Sequence, residues 1–239
     1  MSHTGIVFSH HLLNMIGGGE VIYHGAESHM SPRPTKKDAR AKFSLPQEGR
    51  IALALGFRTA TKGWDILAKM KIPAGWSMVV SSSKNHYNKE NLSLQFEKNK
   101  DIIIIEKDFL SEEDLAILFY ACDAIVLPYK VSSGSGVMFD ALAHGLPFVA
   151  TDLEFFEEFS SQGLGITVRR NPSEFSKALV TLDLQYASYK ESVEMFNKHL
   201  GWDVIAKEHA KIYSSITERE RDITVEQSCY AETFLANQS

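Results

Sequence analysis

Residues 123–152 read "DAIVLPYKVSSGSGVMFDALAHGLPFVATD". An apolar run, "DAIVLPY" (123–129), passes through a Ser/Gly turn, "KVSSGSG" (130–136), into the helix-like "VMFDALAHG" and on to a second apolar run, "PFVATD" (147–152). Small residues at the point where strand hands over to helix leave the N–H groups of the first helical turn unhindered. Those groups carry a partial positive charge and suit an anion.

The same alternation extends outward from this unit. Strand candidates are "RIALALG" (50–56), "WSMVVSS" (76–82), "DIIIIEK" (101–107), the two runs above, and "GITVRR" (165–170), each separated by a loop and a helical period. Their apolarity is continuous, which implies strands covered on both faces. The expected fold class is α/β, a Rossmann-like doubly wound parallel sheet, and the commonest order for six strands is 3-2-1-4-5-6. Helix starts are equally readable. Ser111 precedes Glu112, Glu113 and Asp114, with Leu115, Leu118, Phe119 and Cys122 at helical spacing. Asn171-Pro172-Ser173-Glu174 offers an N-cap, a proline in the first turn and an acid ahead of Phe175, Ala178, Leu179 and Leu182. Helical sequence from about Tyr186 to Ser214 breaks near Gly201-Trp202, and the sequence after Thr217 is charged and weakly patterned.

The first 49 residues differ. "GIVFSHHLL" (5–13) and "EVIYHGAES" (20–28) read as two short strands around a small helix, and "SPRPTKKDARAKF" (31–43) as a crossover leading to a helix. Two strands bury no core alone, so they must pack on the larger unit or on something else.

At 239 residues, 44% hydrophobic and 23% charged, the chain has the composition of an ordinary globular domain. Its net charge of -5 argues against a nucleic-acid binder. Cys122 and Cys229 lie far apart, which reads as reduced thiols rather than a disulfide framework. There is no leader pattern and no apolar run near 18 residues, so a cytoplasmic protein with no transmembrane segment is expected, with peripheral membrane association left open.

In the expected sheet order, the loop after strand one, "FRTATKG" (57–63), faces the loop after strand four, "KVSSGSG" (130–136), across one crevice. The first supplies Arg58 and Lys62; the second supplies backbone N–H groups. Together they describe a phosphate or diphosphate site. No G-x-x-x-x-G-K-[ST] and no G-x-G-x-x-G after strand one is present, which excludes a P-loop NTPase and a common dinucleotide dehydrogenase.

From about Ile6 to Ser215 the chain resembles the carboxyl-terminal half of a GT-B retaining glycosyltransferase of the large family 4-like, or group 1, type. The resemblance rests on "LALGFRTATKGWDIL" (53–67), "DFLSEEDLAILFYACDAIVLPY" (108–129), "SGVMFDALAHGLPFVATD" (135–152) and "GWDVIAKEHAKIY" (201–213). It implies a nucleotide-sugar donor such as a UDP- or GDP-hexose as substrate, with no metal and no resident cofactor. Lys62 and Arg58 would carry catalysis by stabilising the leaving diphosphate, although Thr59 is an alternative occupant of the Arg58 role. Nucleotide-sugar binding would fall to Gly56, Thr59, Leu110, Ser132, Ser133, Gly134, Ser135, Gly136 and Asp140. Of these, Leu110 would lie against the base and Asp140 would hold the ribose.

Two departures from the family pattern stand out. Ser132 occupies the place of the family's sugar-contacting acid, and most of the acceptor-binding half is missing. The expected division is therefore residues 1–34 as a remnant of the acceptor domain and hinge, 35–216 as the nucleotide-sugar-binding domain, and 217–239 as a tail. Three readings remain: a piece of a longer hexosyltransferase, one subunit of a split transferase partnered by a separate acceptor-binding chain, or a non-catalytic nucleotide-binding module. A sugar-nucleotide epimerase is disfavoured because its acid pattern is absent.

Among the remaining residues, His10 and His11 point different ways, which argues against a chelate and leaves a hinge or acceptor-cleft role. His24 reads as structural, His144 as a helix C-terminal residue, Cys122 as core, and Trp202 and Tyr213 as packing anchors. Glu154, Glu157 and Glu158 read as the solvated face of an amphipathic helix, with Asp152 or Glu154 near enough to the crevice for a donor-sugar contact.

Overall fold

The computed structural model describes residues 5–27, 30–83, 99–105 and 109–217. Its central sheet contains β3 (Arg50–Phe57), β4 (Trp76–Ser83), β5 (Ile102–Ile105), β6 (Ala124–Leu127), β7 (Phe148–Thr151) and β8 (Gly165–Val168). The order is β5-β4-β3-β6-β7-β8, every neighbouring pair being parallel. Counted from β3, this is the expected 3-2-1-4-5-6, and β3 pairs with β6 through Ala52↔Ala124 and Leu53↔Ile125. β5 is described to Ile105, and the expected end of this strand at residue 107 lies outside the described residues.

Alternate side chains of each strand feed two cores. Ile51, Leu53, Ile125, Leu127 and Phe148 pack with α4 (Glu112–Ala121), α5 (Gly136–Ala143), α6 (Glu154–Ser160) and α8 (Tyr186–Asn197). Ala52, Ala54, Val126 and Val149 face the other way, onto α3 (Trp64–Lys69) and α7 (Pro172–Leu184). Covered on both faces, the strands need apolar residues at every position, which is why their sequences do not alternate. The helix starts are set by side chains: Ser111 Oγ accepts from Asp114 N at 3.1 Å and Asn171 Oδ1 from Ser173 N at 2.9 Å. After α8 the chain breaks, and α9 occupies 202–217.

The amino-terminal segment forms a separate pair of parallel strands, β1 (Ile6–Val7) and β2 (Glu20–Val21), around α1 (His10–Ile16). It packs on the larger unit. Glu158 of α6 accepts the backbone N–H of His10 at 3.0 Å and of His11 at 2.9 Å, so one carboxylate closes the start of α1. Tyr23 makes ring contacts with Phe139, Phe159 and Phe196. Gly25 lies under Trp202, where a Cβ would stand 2.5 Å from the indole.

At the amino ends of the strands, Asp123 and Arg40 form a closed ionic centre, each 3% exposed. Arg40 Nη2 donates to Asp123 Oδ2 at 2.8 Å, and Ile51 N donates to the same oxygen at 2.8 Å. The remaining guanidinium donors reach the carbonyls of Ala121, Pro46, Gln47 and Gly49. Arg40 belongs to α2 (Lys36–Lys42), so this centre ties a crossover helix to the sheet edge remote from the carboxyl ends of the strands.

Candidate functional site

The loops after β3 and β6 meet directly: Lys130 N donates to Thr61 O at 2.8 Å. Gly63 makes this approach possible. It holds φ +75°, and a Cβ there would stand 1.8 Å from Pro128 O. Between the loops opens a cavity of about 500 Å³, lined by Thr61, Lys62, Tyr129, Val131 and residues 132–134, and by His11 and Met15 of α1.

Lys62 ends a short 3-10 turn, Ala60–Lys62, and its stem runs over Gly56, where an added Cβ would lie 3.5 Å from Cε. Gly56 itself adopts φ +145°. Lys62 Nζ stands 3.9 Å from the ring centroid of Tyr129. Among the described residues no carboxylate pairs with it, so an electropositive group faces the cavity without a protein counter-ion. Tyr129 is buried, and its hydroxyl has no hydrogen-bond partner among the described residues. Ser135 caps α5, its Oγ accepting from Met138 N at 3.2 Å, and Gly136 begins the helix beside His24.

Of the residues named from sequence, Lys62, Ser132, Ser133 and Gly134 line this cavity. Ser135 and Gly136 continue from it along the chain, and Gly56 lies beneath the Lys62 stem. Ser132 turns inward, its Oγ donating to Gly134 O at 2.9 Å. Thr59 shares a hydrogen bond with Thr61 at 2.9 Å between their hydroxyls. Arg58 is not brought to the cavity; its Nε donates to Ser82 Oγ at 3.2 Å, because the residue still follows the β3–β4 ladder and faces β4. Leu110 packs against the core instead of lining the cavity. Asp140 opens on a second cavity of about 250 Å³ with His24, Glu27, Glu112, His144 and Trp202.

Several sequence expectations change in detail. The acidic face of α6 is not simply solvated: Glu158 holds α1, and Glu154 Oε2 lies 2.9 Å from His11 Nδ1. Tyr213 is 60% exposed and does not anchor the core. His24 stacks on Phe139 at 6.0 Å, and His144 forms the C-cap of α5 with its Nδ1 2.7 Å from Asp140 O. Sequence reasoning did not select Tyr129, Thr61 or Met15. Tyr129 carried a readable signal, since Pro128-Tyr129 ends a strand at the sheet edge where such folds bind ligands.

Known proteins share this fold. The sequence profile described as "Glycosyl transferases group 1" matches residues 53–183. Among solved structures, sucrose-phosphate synthase from Thermosynechococcus elongatus superposes with a TM-score of 0.70 at 19% identity, over 90% of this chain and 58% of that one. Anabaena HepE, solved in complex with UDP and glucose, gives 0.70 at 16% identity, over 88% and 62%. The C-terminal domain of a group 1 glycosyl transferase, LpcC, from Francisella tularensis gives 0.56 at 16%, over 77% of this chain and 98% of that domain. A search of curated proteins finds no match. The chain thus spans about three fifths of the length of the first two of these structures. The fold defines a GT-B type Rossmann-like unit. The chain belongs to the group 1 glycosyl transferases.

Proposed function

We propose that this chain is the donor-binding, carboxyl-terminal half of a retaining, family 4-like transferase that moves a hexose from a nucleotide sugar. One observation carries the reading: Lys62, with no carboxylate partner among the described residues, and the small-residue loop that opens α5 border the same cavity at the switch point of the sheet. The complex of HepE with UDP and glucose supports a UDP-sugar donor, and the near-complete overlap with the LpcC C-terminal domain supports the assignment to that half.

In the chemistry proposed, breaking the anomeric C–O bond leaves negative charge on the departing diphosphate. Lys62 and the N–H groups of residues 134–136 stabilise that charge, and they do so most strongly in a site from which water is excluded. Asp140 lies further along α5, where its carboxylate suits ribose hydroxyls. Arg58 serves the diphosphate only after leaving Ser82, so its contribution is expected to be smaller than that of Lys62. The nucleotide sugar is substrate, and the reading needs neither a metal nor a resident cofactor. The protein is read as cytoplasmic; no described helix is long and apolar enough to cross a membrane.

Calorimetry with UDP, GDP and ADP tests this reading. One of them should bind weakly, and Lys62→Ala should lower that affinity at least about tenfold, a loss of about 1.4 kcal/mol. Absence of heat from all three would overturn it. A second reading is a donor-binding subunit or non-catalytic module that works with a separate acceptor-binding chain. Donor hydrolysis that appears only on adding such a chain would favour it.

A further inference from the structure

The wall of the large cavity that comes from α1 carries an imidazole. His11 lines the cavity and is held from behind: its Nδ1 lies 2.9 Å from Glu154 Oε2, and its backbone N–H donates to Glu158. His11 Nε2 has no hydrogen-bond partner among the described residues and is not among the buried unpaired atoms. A carboxylate beside Nδ1 favours the proton there, which leaves Nε2 an acceptor in the neutral ring.

The occupant beside this ring follows from charge and size. A cavity of about 500 Å³ is in the range of small-molecule sites, roughly 300–1,000 Å³, and exceeds what a diphosphate fills. The cationic side belongs to Lys62. At the α1 side stand the carboxylates of Glu154 and Glu158, which repel a phosphate but not a neutral polyol. Ser132, whose position would otherwise present an acid to the sugar, spends its hydroxyl on Gly134 O.

We infer that His11, oriented by Glu154, accepts a hydrogen bond from a hydroxyl of the donor sugar and is a specificity-determining residue of this site. The inference rests on the nucleotide-sugar reading and deepens it. His11 then discriminates nucleotide sugar from bare nucleotide, and Lys62 holds the diphosphate common to both.

The test compares nucleoside diphosphates with the matching nucleotide hexoses by calorimetry on the full chain, using UDP, GDP and ADP and their glucose conjugates. His11→Ala should keep the nucleoside diphosphate affinity within about twofold and weaken the nucleotide hexose roughly tenfold. His11→Gln, which returns an amide near the Nε2 position, should recover most of that loss. His10→Ala is the structural control. It removes the neighbouring contact to α6, with Nδ1 3.2 Å from Glu158 Oε1, without touching the cavity, and should change neither affinity. Equal losses for both ligands in His11→Ala, or a His10→Ala variant that mimics it, would assign His11 to docking of α1 and overturn the inference while leaving the proposed function standing. Failure of the unaltered chain to bind any of the ligands would remove both.

Discussion

Lys62 Nζ rests 3.9 Å above the ring of Tyr129, whose hydroxyl is buried and makes no hydrogen bond among the described residues. The ring therefore serves the ammonium through its face, and the hydroxyl adds an unpaired buried dipole. Tyr129→Phe should raise stability by about 1 kcal/mol, read in urea, because an unsatisfied buried polar group costs roughly 1–3 kcal/mol. Nucleotide affinity should stay within about twofold. Tyr129→Leu, which removes the ring, should weaken it several-fold. A loss of stability in Tyr129→Phe would show that the hydroxyl has a partner in solution.

Gly63 is the hinge on which the two site loops close. Gly63→Ala puts a methyl group 1.8 Å from Pro128 O at φ +75°, so backbone must shift. A left-handed residue other than glycine costs roughly 1–2 kcal/mol and overpacking roughly 1–3 more. The variant should lose about 2 kcal/mol or more in thermal unfolding and should bind nucleotide measurably worse. Unchanged melting would mean that the loops do not approach this closely.

The Arg40–Asp123 centre separates stability from binding. Removing one member of a buried pair strands the other, at about 3–5 kcal/mol. Asp123→Ala should therefore lower the urea midpoint severely, while the fraction that remains folded binds nucleotide normally, since the centre lies at the amino ends of the strands. A selective loss of affinity with stability intact would contradict this division.

Cys122 reports on the core. Burial pushes its thiol well above the ordinary value of 9.0, and the neighbouring Asp123 carboxylate pushes it further. Burial likewise raises Tyr186. An acid whose pKa is raised in the folded chain contributes stability that is fully present below the unfolded value and is lost as pH rises past it. Folding stability should thus decline above about pH 9, with native Cys122 unreactive to thiol reagents at pH 8 in a Cys229→Ser background. Rapid labelling of that variant at pH 8 would show an accessible thiol.

The sheet was legible because strands buried on both faces must be apolar throughout, and because Ser111 and Asn171 announce their helices by capping chemistry. Lys62 and the Ser/Gly loop were legible because strand order alone brings them together. The α1 wall was not. Its helix has seven residues and buries none of them, and it is placed by contacts to Glu158 at sequence separations of 147 and 148. Nothing local encodes that docking. Arg58 misled for a related reason: a cation in the right loop says nothing about which way the ladder turns it.

Because a single acid, Glu158, receives both leading N–H groups of α1 while Glu154 lies against His11, the far side of the ligand chamber is fastened to α6 by two neighbouring carboxylates. Exchanging Glu158 would shift His11 and Met15 together. Substitution at position 158 therefore offers evolution, or an engineer, a remote dial for chamber width that leaves every ligand-touching side chain intact.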